Sequence, residues 1–313
     1  MMTPSIVFRT PLVTLSRRAV SNSESSKSSV GDASRARGND HDDDDASWVW
    51  TLEMSASPSS ARLTKKRQRQ SADYYWENRF TPQLIADFHA ALDAFEADAA
   101  ERSSAALLIA SRCEKFFSNG HDFRALEGPG AQPFVDSFYA LLARIMCLGA
   151  ITVAEIGGHA FAGGCLLAMA ADYRVMRADR GYMCMNEIDL VPSSARGNRN
   201  DPAIVVPGSI SGADKKMMAT LLAKLPKSTV AEMMLTGRRY GGSEAFAAGL
   251  VQYASNDFRS VSLSVAANAA RKSFPANRRV IETLKREMHA GALDALRPAV
   301  PVGATQSKTR SRL

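Results

Sequence analysis

Long apolar runs are missing from this chain. A membrane-spanning helix needs about 18 consecutive apolar residues, and the richest stretch, residues 160–171, covers 12. No membrane span is expected. Cysteine is scarce: Cys113, Cys147, Cys165 and Cys184 stand apart, with no C-x-x-C pair. Those spacings suit neither zinc ligation nor a disulfide framework in a chain of 313 residues, so reduced and mostly buried thiols are expected. The five histidines are scattered and H-E-x-x-H is absent, so no metal is expected. Also absent are G-x-S-x-G, G-x-x-x-x-G-K-[ST] and G-x-G-x-x-G, which removes the hydrolase elbow, the nucleotide phosphate loop and the dinucleotide fingerprint.

Hydrophobic residues make up 45% of the chain and charged residues 23%, proportions of an ordinary soluble globular protein with a sizeable core. The formal net charge of +7 raises nucleic acid as a partner. The basic residues are spread, however. Their one dense run, residues 65–69, has no interleaved aromatics and no nucleic-acid module around it, so no nucleic-acid partner is expected. A modest positive charge also suits a substrate carrying phosphates.

Composition divides the chain. Residues 1–46 read as a disordered N-terminal extension: serine is frequent from 21 to 34 and an acidic run, 42–45, follows. Its first 20 residues hold Arg9, Arg17 and Arg18 and no acid, a weak transit-peptide pattern. From 47 to 214 strands and helices alternate. Ser47–Met54 alternates as a strand does, with Trp50, Leu52 and Met54 on one side. Thr81-Pro82 is a hydroxyl cap followed by proline at the first helical position, and opens a helix to about residue 99. Residues 105–110 read as a buried strand and 133–148 as a helix. Polar, aperiodic insertions lie at about 55–76 and 192–213. Residues 215–298 read as a helical region, at about 215–224, 228–235, 243–248, 258–272 and 277–296. Residues 299–313 form a polar, basic tail.

The chemistry concentrates in residues 151–190. A β-rich run, Ile151–Ile156, turns on Gly157 and Gly158, and a second pair, Gly163 and Gly164, opens an apolar helical run at 165–171. Glycine lets a backbone approach a ligand closely, and the first N–H groups of a helix have no intrahelical partner. Glu187 then stands in a largely uncharged segment. Such a stretch can offer a donor to a developing oxyanion and a carboxylate to move a proton beside it. An earlier loop at 116–123 also places a glycine within an apolar frame.

The segments FFSNGHDF (116–123), VAEIGGHAFAGG (153–164) and NEIDL (186–190), with ENRFTPQLI (77–85) and TGRRYGGSEAFAAGLV (236–251), resemble the enoyl-CoA hydratase/isomerase (crotonase) superfamily, and above all its plant-type peroxisomal Δ3,Δ2-enoyl-CoA isomerases. The resemblance implies an α/β, crotonase-like fold of repeated ββα units with a helical C-terminal region, assembled as a homotrimer or a dimer of trimers. It implies an acyl-CoA thioester substrate and no cofactor, coenzyme A being part of the substrate. By position it assigns the oxyanion-holding backbone N–H groups to His121 and Gly163, the catalytic carboxylate to Glu187, and the substrate loop to Ser118, Asn119, Gly120 and Asp122. The imidazole of His121 is expected to take no part. The hydratases of the family use two glutamates, and the first falls here on Leu166. One remaining base points to double-bond isomerisation, with hydration or an inactive acyl-CoA-binding homologue as the alternatives. The C-terminal Ser311, Arg312 and Leu313 resemble a peroxisomal address read by an import receptor. The expected location is therefore the peroxisome, with the mitochondrion as the alternative.

Overall fold

The computed structural model describes residues 4–21, 46–55, 77–190 and 213–298. Among them lies a seven-stranded sheet built from β1 (Ser5–Arg9), β2 (Val13–Val20), β3 (Ser47–Met54), β4 (Ala106–Ser111), β6 (Ile151–Ile156), β8 (Tyr173–Arg177) and β10 (Tyr253–Ser255), in that order. Pairing is antiparallel from β1 to β3 and parallel from β3 to β10. The short strands β5 (Phe116–Ser118), β7 (His159–Phe161) and β9 (Met183–Cys184) form a second, parallel sheet.

The repeat is a long strand, a short strand and a helix. After β4 and β5 comes α2 (Ala131–Met146), and after β6 and β7 comes α3 (Gly163–Ala170). The first helix, α1 (Pro82–Ala100), crosses from β3 to β4. Its cap is the one expected: Thr81 Oγ1 accepts from the N–H of Leu84 at 3.1 Å, and Pro82 occupies the first turn, where its missing N–H costs nothing. The C-terminal helices are α4 (Ala213–Leu222), α5 (Lys227–Thr236), α6 (Gly242–Ala247), α7 (Phe258–Ala270), α8 (Pro275–Met288) and α9 (Ala290–Leu296).

Alternation along the strands divides the core in two. Trp50, Leu52 and Met54 of β3, with Leu107 and Ile109 of β4, face α1 and α2, where Trp50 meets Phe95 edge-on at 5.3 Å. The opposite face, including Val49, Leu108 and Val153, is covered by Phe258, Ala266, Ala267 and Ala270 of α7. Burying apolar area on both faces at about 25 cal/mol per Å² drives the assembly.

Two expectations need correction. Residues 1–46 do not form a disordered extension throughout. β1 and β2 pair within the N-terminal region, β2 pairs along its full length with β3, and Val13 and Leu15 are fully buried. Serine and aspartate in 21–45 dominate the average composition and hide the β-branched runs at 5–8 and 12–15. The last helix, read as one over 277–296, is two, broken at His289, which turns inward beside Lys224 with Nζ to Nε2 at 3.1 Å. The insertion at about 55–76 beyond residue 55, the insertion at 192–213 up to residue 212, and the tail at 299–313 lie outside the described residues.

Candidate active site

Two loops meet at the C-terminal ends of β5 and β7. Gly120 has φ +77°, a conformation costly for any residue with a Cβ, and a Cβ there would stand 3.2 Å from the backbone nitrogen of Gly163. The start of α3 thus lies directly on the loop after β5.

Their hydrogen bonds aim two N–H groups. The carbonyl of Gly120 accepts from the N–H of Phe80 at 2.8 Å. In a trans peptide the carbonyl and the N–H point in opposite directions, so the N–H of His121 points away from Phe80. Likewise the carbonyl of Ala162 accepts from the N–H of Leu166 at 3.0 Å, and the N–H of Gly163 points out of the helix start. Neither N–H donates to another backbone group among the described residues. The helix start adds partial positive charge at Gly163. Ala162 itself has φ 49° and ψ −117°, rare for a residue other than glycine.

A cavity of about 220 Å³ opens beside these loops, lined by Arg79, Asn119, His121, Phe123, Leu126, Ala162, Asn186 and Glu187. Glu187 begins a 3-10 turn, Glu187–Leu190, after β9. Its Oε2 is buried with no hydrogen-bond partner. Burial pushes its carboxyl up to about 7; a backbone hydrogen bond at Glu187 opposes this shift and the charge of Asp214 adds to it. Among the described residues lining the cavity, Glu187 is the one carboxylate. Leu166, on the first turn of α3, is 2% exposed and brings no second acid.

The His121 ring packs against Phe138 and Phe134 at centroid distances of 4.4 and 5.3 Å. Its Nε2 has no partner, and burial holds its pKa down at about 4, so the imidazole is neutral near pH 7. Asp189, two residues from Glu187, is exposed and does not line the cavity. It faces Gly237, where a Cβ would stand 2.9 Å from Asp189 Oδ2.

With this geometry in place, similarity to known proteins can be set beside it. The family model described as enoyl-CoA hydratase/isomerase matches residues 74–191. "Enoyl-CoA delta isomerase 3" of Arabidopsis thaliana is 31% identical over 188 residues, which cover 58% of this chain and 70% of that protein. The chain belongs to the enoyl-CoA hydratase/isomerase family. A second Arabidopsis protein, "Enoyl-CoA delta isomerase 2, peroxisomal", is 30% identical over 189 residues, with the same coverage of 58% and 70%. Among solved structures, an enoyl-CoA hydratase/isomerase family protein from Pseudomonas syringae superposes with a TM-score of 0.59 at 21% identity, covering 79% of this chain and 89% of that one, which shows the shared fold.

In this member of the hydratase/isomerase family the residues expected to form the substrate loop divide by task. Asn119 lines the cavity. Ser118 is buried and its hydroxyl donates to the carbonyl of Asn78 at 2.7 Å. Asp122 caps the 3-10 turn Phe123–Leu126, its Oδ1 accepting from the N–H of Arg124 at 2.9 Å. Gly120 supplies the turn. Three of the four therefore build the loop rather than line the cavity. Sequence reasoning missed Arg79, Asn186, Phe123 and Leu126. Arg79 lay within the ENRF run as a signal, but nothing in one sequence says which way its side chain turns. Ser311, Arg312 and Leu313 lie outside the described residues.

Proposed function

We propose that the protein is a Δ3,Δ2-enoyl-CoA isomerase. Glu187 takes a proton from C2 of a 3-enoyl-CoA, and the electrons left behind form a dienolate whose charge rests on the thioester oxygen. The N–H groups of His121 and Gly163 hold that oxygen. Glu187 then returns the proton to C4, which moves the double bond from C3–C4 to C2–C3. The overall step is a proton shift with no change in oxidation state, so the reading calls for no metal or redox cofactor. The observation that carries it is Glu187, the one carboxylate among the described residues lining the cavity beside the two loops, with its Oε2 buried. An apolar Leu166 in place of a second acid favours proton return over addition of water.

The test is turnover of a 3-enoyl-CoA with chromatographic identification of the product. Wild type yields 2-enoyl-CoA, and Glu187→Gln loses at least ~10²-fold in kcat, the usual contribution of a positioned base. Equal rates in the two proteins exclude Glu187 as the base.

Hydration is the second reading, because the matching family model spans hydratases as well as isomerases. A 3-hydroxyacyl-CoA as the main product would replace the isomerase reading with this one.

The peroxisomal relative supports a peroxisomal location. An apolar stripe on α8, with Val280, Leu284 and Met288 at 53%, 57% and 69% exposure, supports self-association, and the family resemblance suggests a homotrimer or a dimer of trimers.

A further inference from the structure

Arg79 has no place in the proton transfer just described, yet it lines the same cavity with its side chain 15% exposed. Its Nη1 donates to the carbonyl oxygens of Asn119 and His121, each at 3.3 Å. These two carbonyls flank the peptide that joins Gly120 to His121 and supplies the loop's donor. Its Nε is held by Glu77 Oε2 at 2.7 Å. The same Oε2 accepts from Asn119 Nδ2 at 2.9 Å, and the Glu77 carbonyl accepts from the N–H of Asn119 at 2.9 Å. The guanidinium also lies over the Phe123 ring at 5.5 Å. It is fixed at both ends.

The side on which this cation stands matters. His121 pairs with Phe80 in a parallel bridge through its neighbours: Gly120 gives its carbonyl and Asp122 its N–H to Phe80. In such a bridge the N–H and carbonyl of the central residue both point to the other side. The carbonyl of His121 that Arg79 binds therefore shares a side with the His121 N–H, the side away from Phe80.

We propose that Arg79 is a positioning residue of the oxyanion site: it clamps the carbonyls of residues 119 and 121, sets the direction of the His121 N–H, and places a fixed cation on the approach side of the thioester oxygen. This rests on the reading of His121 as a donor to that oxygen. A planar fork suits the task, since one guanidinium can hold two carbonyls and a carboxylate at once and an ammonium cannot do so in the same geometry.

The experiment compares wild type with Arg79→Met, Arg79→Lys and Glu77→Gln, reading kcat and KM for a 3-enoyl-CoA. It also reads the infrared carbonyl band of bound butyryl-CoA labelled with carbon-13 at the thioester. Wild type should shift this band to lower wavenumber on binding. Arg79→Met should lower kcat by about 10²-fold, the scale for a small misplacement of reacting groups, leave KM within about threefold, and return the band at least halfway to its position in free ligand. Arg79→Lys should recover only part of both losses. Wild-type kcat with an unmoved band in Arg79→Met overturns the proposal, and so does a fall in kcat without any change in the band. Should Arg79→Met fail to fold, Glu77→Gln, which keeps the guanidinium and weakens its anchor, must give an intermediate band, and a wild-type band there overturns the proposal. The band is read without turnover. A wild type that shifts it but makes no 2-enoyl-CoA overturns the isomerase reading and leaves that of Arg79 standing.

Discussion

The backbone of Ser118 occupies the space that a side chain on Gly164 would need. A Cβ at residue 164 would overlap the Ser118 carbonyl oxygen and stand 2.9 Å from the Ser118 Cβ. Neither obstacle is the end of a flexible side chain. Gly164→Ala must therefore part the start of α3 from the loop after β5. The expected outcome is a loss of about 1–3 kcal/mol in stability, the usual cost of overpacking, with activity lost beyond what that explains. Urea unfolding together with kcat at a temperature where the variant is fully folded checks both.

The carboxyl of Glu187, pushed up to about 7, sets a pH dependence. As the proposed base it works only when ionised, so kcat/KM, which reports the free enzyme, should rise with pH and reach half its plateau near 7. A rate–pH profile on a non-sticky substrate checks this, and a midpoint near the ordinary glutamate value of 4.5 would contradict it.

Glu155 titrates similarly for a different reason. It lies on the α7 face of β6, 9% exposed, with Arg259 Nε 3.9 Å from Oε1. Burial raises its pKa from 4.5 to about 7; Arg259 opposes this, Glu53 adds to it, and Arg18 and a hydrogen bond with Ser262 oppose it. The folded protein thus holds this proton more tightly than the unfolded chain does. Stability must fall as pH rises from about 4.5 through about 7. Glu155→Gln removes that loss. It should match wild type at pH 5 and exceed it at pH 8 by a margin whose upper limit is on the order of 3 kcal/mol. Denaturant melts at the two pH values read the difference.

Lys285 joins the C-terminal helices to the sheet through a buried ion pair. Its Nζ lies 2.5 Å from Asp172 Oδ2 and donates to the carbonyl of Ala150 at 2.7 Å, with the side chain 3% exposed. Asp172 Oδ2 also accepts from the Thr152 N–H and hydroxyl at 2.8 and 2.9 Å. Lys285→Met leaves that carboxylate without its cation, and the expected loss is about 3–5 kcal/mol. Exchanging Asp172→Asn in the same background should recover part of it, because the carboxylate charge that lost its nearest cation is then gone. Urea unfolding of the single and double variants tests both statements.

How far these features can be read from sequence depends on segment length and on whether neighbours in space are neighbours in chain. Ser47–Met54 and Ile151–Ile156 were legible to the residue because alternation or an apolar run persists over six residues or more. The Thr81 cap was legible because its chemistry is local. His159–Phe161 and Met183–Cys184 were not, because two or three residues show no period. Yet those strands, with β5, form the second sheet, and the two loops at the cavity follow β5 and β7. Glu187 and the glycines were found through their motifs. Arg79 was missed because its meaning lies in two carbonyls about forty residues away.

The backbone at Ala162 has a consequence in time. An alanine at φ 49° and ψ −117° is held against its own preference, at a cost of roughly 1–3 kcal/mol. The surrounding bonds, Ala162 N–H to the Cys184 carbonyl at 2.9 Å and Leu166 N–H to the Ala162 carbonyl at 3.0 Å, leave it no relaxed alternative that keeps α3 intact. On the proposed reading, the groups that would hold the thioester oxygen are therefore in place before any ligand arrives. Association should follow a single exponential whose rate climbs linearly with ligand concentration, with no slow rearrangement behind it.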